Sequence, residues 1–201
     1  MLIDKDTYNL IKNSNGLNLS SEDIQFLKDL SYEEKPMNAM ERGVATHLVL
    51  QYMDYQKGCS RDGIKAEVQR LLALRYISQR EAKAVNVSAI ERLFASSLGK
   101  RMLKAEKPLR EFRFSLLVEA GAGDDELLLQ GVVDCCIEEE GQLVIVDYKT
   151  DNVKTPGEIA ERAEHYRPQL MAYAKALGRI FKKPVKECVL FFLSSGEEYR
   201  L

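Results

Sequence analysis

The amino-acid sequence predicts an α/β (α+β) fold: a mixed β-sheet core of about four strands in αβββαβ order, flanked by helices and preceded by a helical extension. Three observations lead there. Residues 127–150, LLLQGVVDCCIEEEGQLVIVDYKT, read as two strands rich in Val, Leu and Ile about a tight turn at Glu140-Gly141. Residues 109–118 alternate Phe112, Phe114, Leu116 and Val118 with Glu111, Arg113, Ser115 and Leu117, the period of a half-buried strand. Residues 186–193 (KECVLFFL) make a further strand after a helical stretch, and strand–helix–strand implies a crossover with some parallel pairing.

Composition sets the class. Of 201 residues, 45% are hydrophobic and 30% charged, the balance of a soluble single domain over 1–201, with 1–107 mainly helical and 108–193 carrying the sheet. The longest apolar runs, such as 188–193, are far too short to span a bilayer, and no secretory leader pattern opens the sequence. No membrane partner and a cytoplasmic location are therefore expected. A net charge of −2 argues against a broadly basic nucleic-acid coat, though not against a local basic groove. Cys59, Cys135, Cys136 and Cys188 contain no C-x-x-C pair, and neighbours on a strand point to opposite faces. Structural thiols are expected, not a zinc or iron–sulfur site.

Taken in order, Ser20-Ser21-Glu22-Asp23 caps a helix through Leu30, and Pro36 then interrupts. A longer helix follows from about Ala39 to Gln56, with Asn38 as cap and Met40, Val44, His47, Leu48 and Gln51 as its inward stripe. A lone His on such a stripe reads first as a hydrogen-bonded core residue and only second as a ligand. Helices come next over about 60–75, 78–86 and 88–105, with capping-box spacing at Ser78/Glu81 and Ser88/Glu91. Lys100, Arg101, Lys104, Lys107 and Arg110 form a basic run, by default a solvated face and alternatively a DNA contact. Pro108 opens the sheet, and residues 121–125 turn the chain into the hairpin.

Beyond Thr150 a polar linker, 151–157, leads to two helical segments of about 157–165 and 168–181, the second with Pro168 at its first position. Leu170, Ala174 and Leu177 face the core; Gln169 and Tyr173 sit one turn apart on a neighbouring stripe, with Arg162 and Tyr166 upstream. Residues 194–201 are expected to fray.

The hairpin carries the chemistry. Pairing about its turn sets Asp134 across from Asp147, two carboxylates roughly 5 Å apart in apolar strands. Asp147 and Lys149 share a face, and Val146 and Tyr148 take the other. Facing like charges destabilise a sheet, so one carboxylate stays protonated, or Lys149 neutralises one, or a divalent cation bridges both. Only the last is chemically productive, because a hard cation beside an ammonium can activate water and stabilise phosphoryl charge.

This element order, with an Asp on the second strand and D-x-K on the third, resembles the PD-(D/E)XK nuclease superfamily, whose fold is restriction-endonuclease-like. Arg42-Gly43-Val44-Ala45-Thr46-His47 is similar to the R-G-x-x-x-H signature of RecB-type nuclease domains. Gly131-Val132-Val133-Asp134 and Val146-Asp147-Tyr148-Lys149-Thr150-Asp151 are similar to their two active-site segments, and Gln169-x-x-x-Tyr173 to their Q-x-x-x-Y motif. Over most of residues 40–193 the likeness is to the C-terminal nuclease domain of AddA-type helicase–nuclease subunits.

The resemblance implies that His47, Asp134 and Asp147 ligate a metal together with the Tyr148 carbonyl. Lys149 orients or deprotonates the attacking water and offsets charge. Glu111, Gln169, Tyr173, Arg42 and Thr150 would bind DNA or support the site. It further implies an Mg²⁺-dependent deoxyribonuclease, with Mn²⁺ as a substitute, acting as an exonuclease on single-stranded DNA in double-strand break repair and recombination. The strand would come from a helicase motor on the same or another chain, beside a partner nuclease subunit. The phosphate loop G-x-x-x-x-G-K-[ST] does not occur in these residues, and the cysteine spacing does not fit the iron–sulfur cluster of some relatives. The alternative is a catalytically silent DNA-binding or subunit-docking module that keeps the fold.

Overall fold

A computed structural model of the chain describes residues 3–13, 20–32, 37–119 and 126–201. They fall into two units, Met1–Asn38 and Ala39–Leu201. In the first, β1 (Ile3–Asp4), α1 (Lys5–Lys12), α2 (Ser21–Leu30) and β2 (Ser31–Tyr32) follow one another, and β1 pairs with β2 in parallel. Helix α2 starts as its sequence predicts: the Asp23 N–H donates to Ser20 Oγ at 3.1 Å, and the Ser20 N–H donates to Asp23 Oδ2 at 2.9 Å. Pro36 and the 121–125 turn lie outside the described residues.

The second unit is built on the hairpin. Strands β3 (Leu109–Glu119), β4 (Glu126–Glu139), β5 (Gln142–Lys149), β6 (Val185–Phe192) and β7 (Glu197–Arg200) form one five-stranded sheet in that order. The β4–β5 turn falls at Glu140-Gly141, both at positive φ (52° and 77°), the two-residue loop whose twist suits a hairpin. Strands β5 and β6 pair in parallel and every other pair is antiparallel. The mixed sheet is as expected, with one strand more. Residues 197–200, expected to fray, pair with β6 from Val189↔Arg200 to Phe192↔Glu197. No apolar run marks β7. Polar contacts hold it: Glu198 accepts the Leu98 N–H and the Ser97 hydroxyl, both at 3.0 Å.

Helices cover both faces. On one lie α3 (Ala39–Tyr52), α4 (Arg61–Ala73), α5 (Gln79–Ala84), α6 (Val87–Ala95) and α7 (Ser97–Lys104). Their Val49, Leu50, Ile64, Leu71, Ile90 and Leu98 pack with Cys135, Val144, Val146, Tyr148 and Phe191. On the other lies α8 (Pro156–Phe181), whose Ala163, Leu170, Tyr173 and Leu177 pack with Val133, Cys136, Ile145, Leu190 and Phe192. Cys135 and Cys136 thus enter opposite layers, as adjacent strand positions must, and burial pushes both thiols up to about 12. Residues 143–148 of β5 are buried throughout, so the strand bearing Asp147 is held from both sides.

Several helix bounds differ from those read in the sequence. Helix α3 stops at Tyr52, not Gln56, because the chain turns at Asp54, whose carbonyl accepts the Gly58 N–H at 2.8 Å. The stretch 88–105 is two helices: Ser96 caps α7 by accepting the Gly99 N–H, and a Cβ at Gly99 would stand 1.9 Å from the Leu93 carbonyl oxygen. Ser78/Glu81 is a capping box, whereas α6 is capped by Asn86, and Ser88 and Glu91 instead receive Arg61. The two segments after Thr150 are one helix of 26 residues running through Pro168. Thr155 and Glu158 form its capping box and Pro156 its first turn, while Pro168, on the exposed side, costs a single interior N–H. The basic run splits as well. Arg101 is fixed by Glu139 and Glu187, and Arg110 donates to the Met53 carbonyl and lies over the Tyr55 ring, so these two are structural. Lys100, Lys104 and Lys107 remain exposed.

Candidate active site

The β4–β5 register runs from Glu139↔Gln142 to Cys135↔Val146 and stops one pair short of Asp134 and Asp147. The next bond is made by a side chain: the Tyr148 N–H donates to Asp134 Oδ2 at 2.7 Å. The Lys149 carbonyl accepts the Leu193 N–H on the β6 side, so the Tyr148 carbonyl turns to the β4 side, towards Asp134.

Strands β3 and β4 break their alternation together at this level. Arg110↔Cys135 and Phe112↔Val133 are paired, while Glu111 and Asp134 between them are not, and Glu111 has φ 49°. Val133 and Cys136, three apart, share one core layer, and Leu109 and Phe112 pack on that same layer. A period of two forbids this unless each strand slips once. The slip frees Glu111 and Asp134 from the core layers.

Helix α3 brings the third group. Gly43 lies over the end of β5, where a Cβ would meet Thr150 Cγ2 at 2.9 Å, so only glycine allows this approach. One turn later His47 Nδ1 stands 3.5 Å from Asp134 Oδ1, its ring edge-on to Tyr148 with centroids 5.7 Å apart. One ligand atom each from His47, Glu111 and Asp134 can be chosen so that all lie within 4.8 Å of one another. This group contains Glu111, which the sequence left as an outward charge or a support. Asp147 lies outside it, with Lys149 Nζ at 2.6 Å from its Oδ2. That ion contact is not aligned as a hydrogen bond, and buried Oδ2 has no hydrogen-bond partner.

Proton affinities record the crowding. Burial pulls His47 towards neutrality, but Asp134, with Asp147 and Glu111 behind it, outweighs this and sets its pKa above the ordinary value. Burial and then Asp134 raise Glu111. Burial and Asp134 also raise Asp147, with Lys149 opposing. Two carboxylates held above their ordinary pKa, a third between them and an imidazole make a donor set that fits a hard or borderline divalent cation.

The cluster opens on a cleft of about 570 Å³. The α3 stripe expected to face inward lines this cleft instead: Met40 is 73% and Val44 54% exposed, while Gly43, Ala45, Thr46, Val49 and Leu50 take the buried side. The misreading has a cause. Both faces of α3 carry apolar residues, and the smaller ones take the buried side.

Helix α8 supplies the opposite wall. Gln169 Oε1 accepts from Lys149 Nζ at 3.2 Å and its Nε2 donates to the Tyr173 hydroxyl at 2.7 Å, so the glutamine is spent on the lysine. Tyr173 in turn fits the space left by Gly131, where a Cβ would be 2.8 Å from its ring. Tyr166 and Asp151, given no role by the sequence, also stand here. Lys149 Nζ lies 3.9 Å from the Tyr166 ring centroid, and the Tyr166 hydroxyl donates to Asp151 Oδ2 at 3.0 Å. A signal for Tyr166 existed, since Arg162, Tyr166, Gln169 and Tyr173 follow the i, i+4, i+7, i+11 spacing of one face once α8 is continuous. Arg42 is exposed at an adjoining recess with Gly43 and Thr150, away from the carboxylates, and Thr150 borders both spaces.

A carboxylate–histidine cluster drawn from α3, β3 and β4 thus stands beside the Asp-x-Lys pair of β5 in a mixed sheet flanked by helices. The model of the PD-(D/E)XK nuclease superfamily matches residues 21–199, and the chain belongs to that superfamily. Its curated relatives include AddA-type ATP-dependent helicase/nuclease subunits. It is 35% identical to that of Thermoanaerobacter sp. (strain X514), over 82% of this chain and 14% of that protein. It is 35% identical to the one from Clostridium kluyveri (strain ATCC 8527), over 94% and 16%, and 41% identical to the one from Alkaliphilus metalliredigens, over 79% and 14%. The chain therefore spans about one seventh of the length of the curated relatives it matches. No helix among the described residues is long and apolar enough to cross a membrane.

Proposed function

We propose that this chain is a divalent-metal-dependent deoxyribonuclease module that hydrolyses phosphodiester bonds of single-stranded DNA from an end. In this reading a helicase motor delivers the strand, as part of a helicase–nuclease in double-strand break repair. The observation that carries the reading is the convergence of His47, Glu111 and Asp134 beside the Asp147–Lys149 pair under one open cleft.

His47, Glu111 and Asp134 would hold the metal, with Asp147 and the Tyr148 carbonyl as neighbouring donors. Mg²⁺ suits the carboxylates, and Mn²⁺ tolerates the imidazole better. When bound, the cation supplies Lewis acidity towards a phosphoryl oxygen and makes water more acidic. The chain's own residues do the rest. Lys149, held by Asp147 and Gln169, presents fixed positive charge to the non-bridging oxygens as negative charge builds on them. Its ammonium also donates to, and so orients, the attacking water. Gln169 and Tyr173 hold Lys149 through the bonds described above, and the α3 and α8 walls position the strand. The helicase/nuclease names of the relatives support a motor as the source of the strand.

The test is cleavage of end-labelled single-stranded DNA with Mg²⁺, with Mn²⁺ and with EDTA, beside Asp147→Ala. The expected outcome is metal-dependent cleavage that falls at least about a hundredfold in the variant, on the scale of losing one preorganised charged group. Equal cleavage by Asp147→Ala would overturn the site. A folded, DNA-binding chain that cleaves nothing would point to the silent module.

A further inference from the structure

We infer that Tyr166 is a positioning residue for Lys149, its ring face fixing the ammonium and Asp151 latching the ring. This deepens the nuclease reading and rests on it for the role of Lys149. A lysine ammonium has three N–H bonds to place and four flexible carbons behind it, so its position is set by what surrounds it. Around Lys149 Nζ stand Asp147 Oδ2 at 2.6 Å, Gln169 Oε1 at 3.2 Å and the Tyr166 centroid at 3.9 Å. The first two alone would let the ammonium swing towards solvent about the line joining them. The tyrosine face closes that direction while leaving no competing hydrogen-bond acceptor there, since a ring quadrupole attracts a cation without taking a proton from it.

The latch has its own support. The Tyr166 hydroxyl donates to Asp151 Oδ2 at 3.0 Å, and Arg162 holds Asp151 Oδ1 at 2.9 Å. The Asp151 backbone carbonyl also accepts the Ser194 hydroxyl, which ties the loop after β5 to the end of β6. Arg162 and Tyr166 lie on the same α8 face as Gln169, so one helix delivers both the latch and the lysine's acceptor. The last residue of the V-D-Y-K-T-D segment thereby acts through the aromatic ring on the lysine two positions before it.

The test has two readouts. In protein labelled with ¹³C at the lysine ε carbon, without metal or DNA, one ε-methylene signal should be shifted upfield by the ring and be assigned by its loss in Lys149→Arg. Tyr166→Leu should return it to the ordinary lysine position, and Tyr166→Phe should keep it. In cleavage of single-stranded DNA, Tyr166→Leu should lower kcat about tenfold with KM within about twofold, the size of a desolvated cation–aromatic contact. Tyr166→Phe, which keeps the face and loses the latch, should retain more than about a third of kcat. Tyr166→Gln serves if the leucine variant does not fold. An unshifted Lys149 signal in wild type, or equal losses of kcat in the Phe and Leu variants, would overturn the inference. Because the spectroscopic arm needs no catalysis, a wild-type chain that shows the shift but cuts nothing would count against the nuclease reading alone.

Discussion

Gly43 carries no side chain at the point where α3 meets β5, and an alanine Cβ there would stand 2.9 Å from Thr150 Cγ2 and 3.1 Å from its Oγ1. Helix propensity alone would favour alanine by about 1 kcal/mol, so the two effects nearly cancel in stability. They do not cancel at the site. Lifting α3 by a few tenths of an ångström moves His47 away from Asp134. Gly43→Ala is expected to leave the urea midpoint nearly unchanged and to lower the cleavage rate about tenfold, the order of loss from a small misplacement. Adding Thr150→Ala, which removes the obstructing atoms, should recover most of the loss; no recovery would separate Gly43 from the placement of His47. At this scale the sequence singled out Asp134 and Lys149 from the hairpin and His47 only through its motif, and the structure brings the three to one cleft. The sequence was not legible at Glu111, because its place depends on a slip in two strands at once that no single-strand pattern contains. A non-glycine residue at φ 49° costs about 1–3 kcal/mol, and that strain is held by the β3–β4 pairs on either side.

Among the elements, the central hairpin was the most readable, since its turn residues and its apolar runs agree. Helix α8 was the least, and Pro168 is the reason. Proline usually marks a first turn, so the local signal divided one helix into two. The tertiary structure overrides it because residues on both sides, Ala163 and Leu170, are fully buried against the same core layer. The continuing helix is what sets Tyr166 and Gln169 on one face. Pro168→Ala should restore the N–H and stabilise the fold by roughly 1–3 kcal/mol, read as a higher urea midpoint. A fall in stability would mean that the proline's stiffening of the unfolded chain outweighs the lost bond. The terminal strand β7 escaped notice for a different reason: its pairing is polar and lies at an edge, where no alternation of apolar residues is needed.

At the scale of the whole unit, Arg101 joins the two sides of the buried strand. It reaches Glu139 on β4 at 2.7 Å and Glu187 on β6 at 2.5 Å, with β5 running between them. Its guanidinium, with Lys186 in support, holds the Glu139 carboxyl down at about 2, against an ordinary 4.5. A depressed carboxylate stabilises the fold above its unfolded pKa and loses that contribution as pH falls through the folded value. Between about pH 5 and pH 2, stability should therefore drop by on the order of 1–2 kcal/mol from this group, after allowance for the solvent that reaches the pair. Urea unfolding across that range would show it, with Arg101→Met giving a flatter curve. Identical curves would mean that the acid response lies elsewhere. Nothing in the sequence joined Arg101 to Glu139 and Glu187. A basic run next to a strand looks the same whether it meets solvent or two strands of its own sheet.

The cluster of His47, Glu111 and Asp134 draws on α3, β3 and β4, and Lys149 needs α8 to hold it. The ligand cluster therefore rests on three elements that precede α8, and the lysine's support arrives only with that last helix. The cutting chemistry we propose would thus begin only when the last crossover has docked.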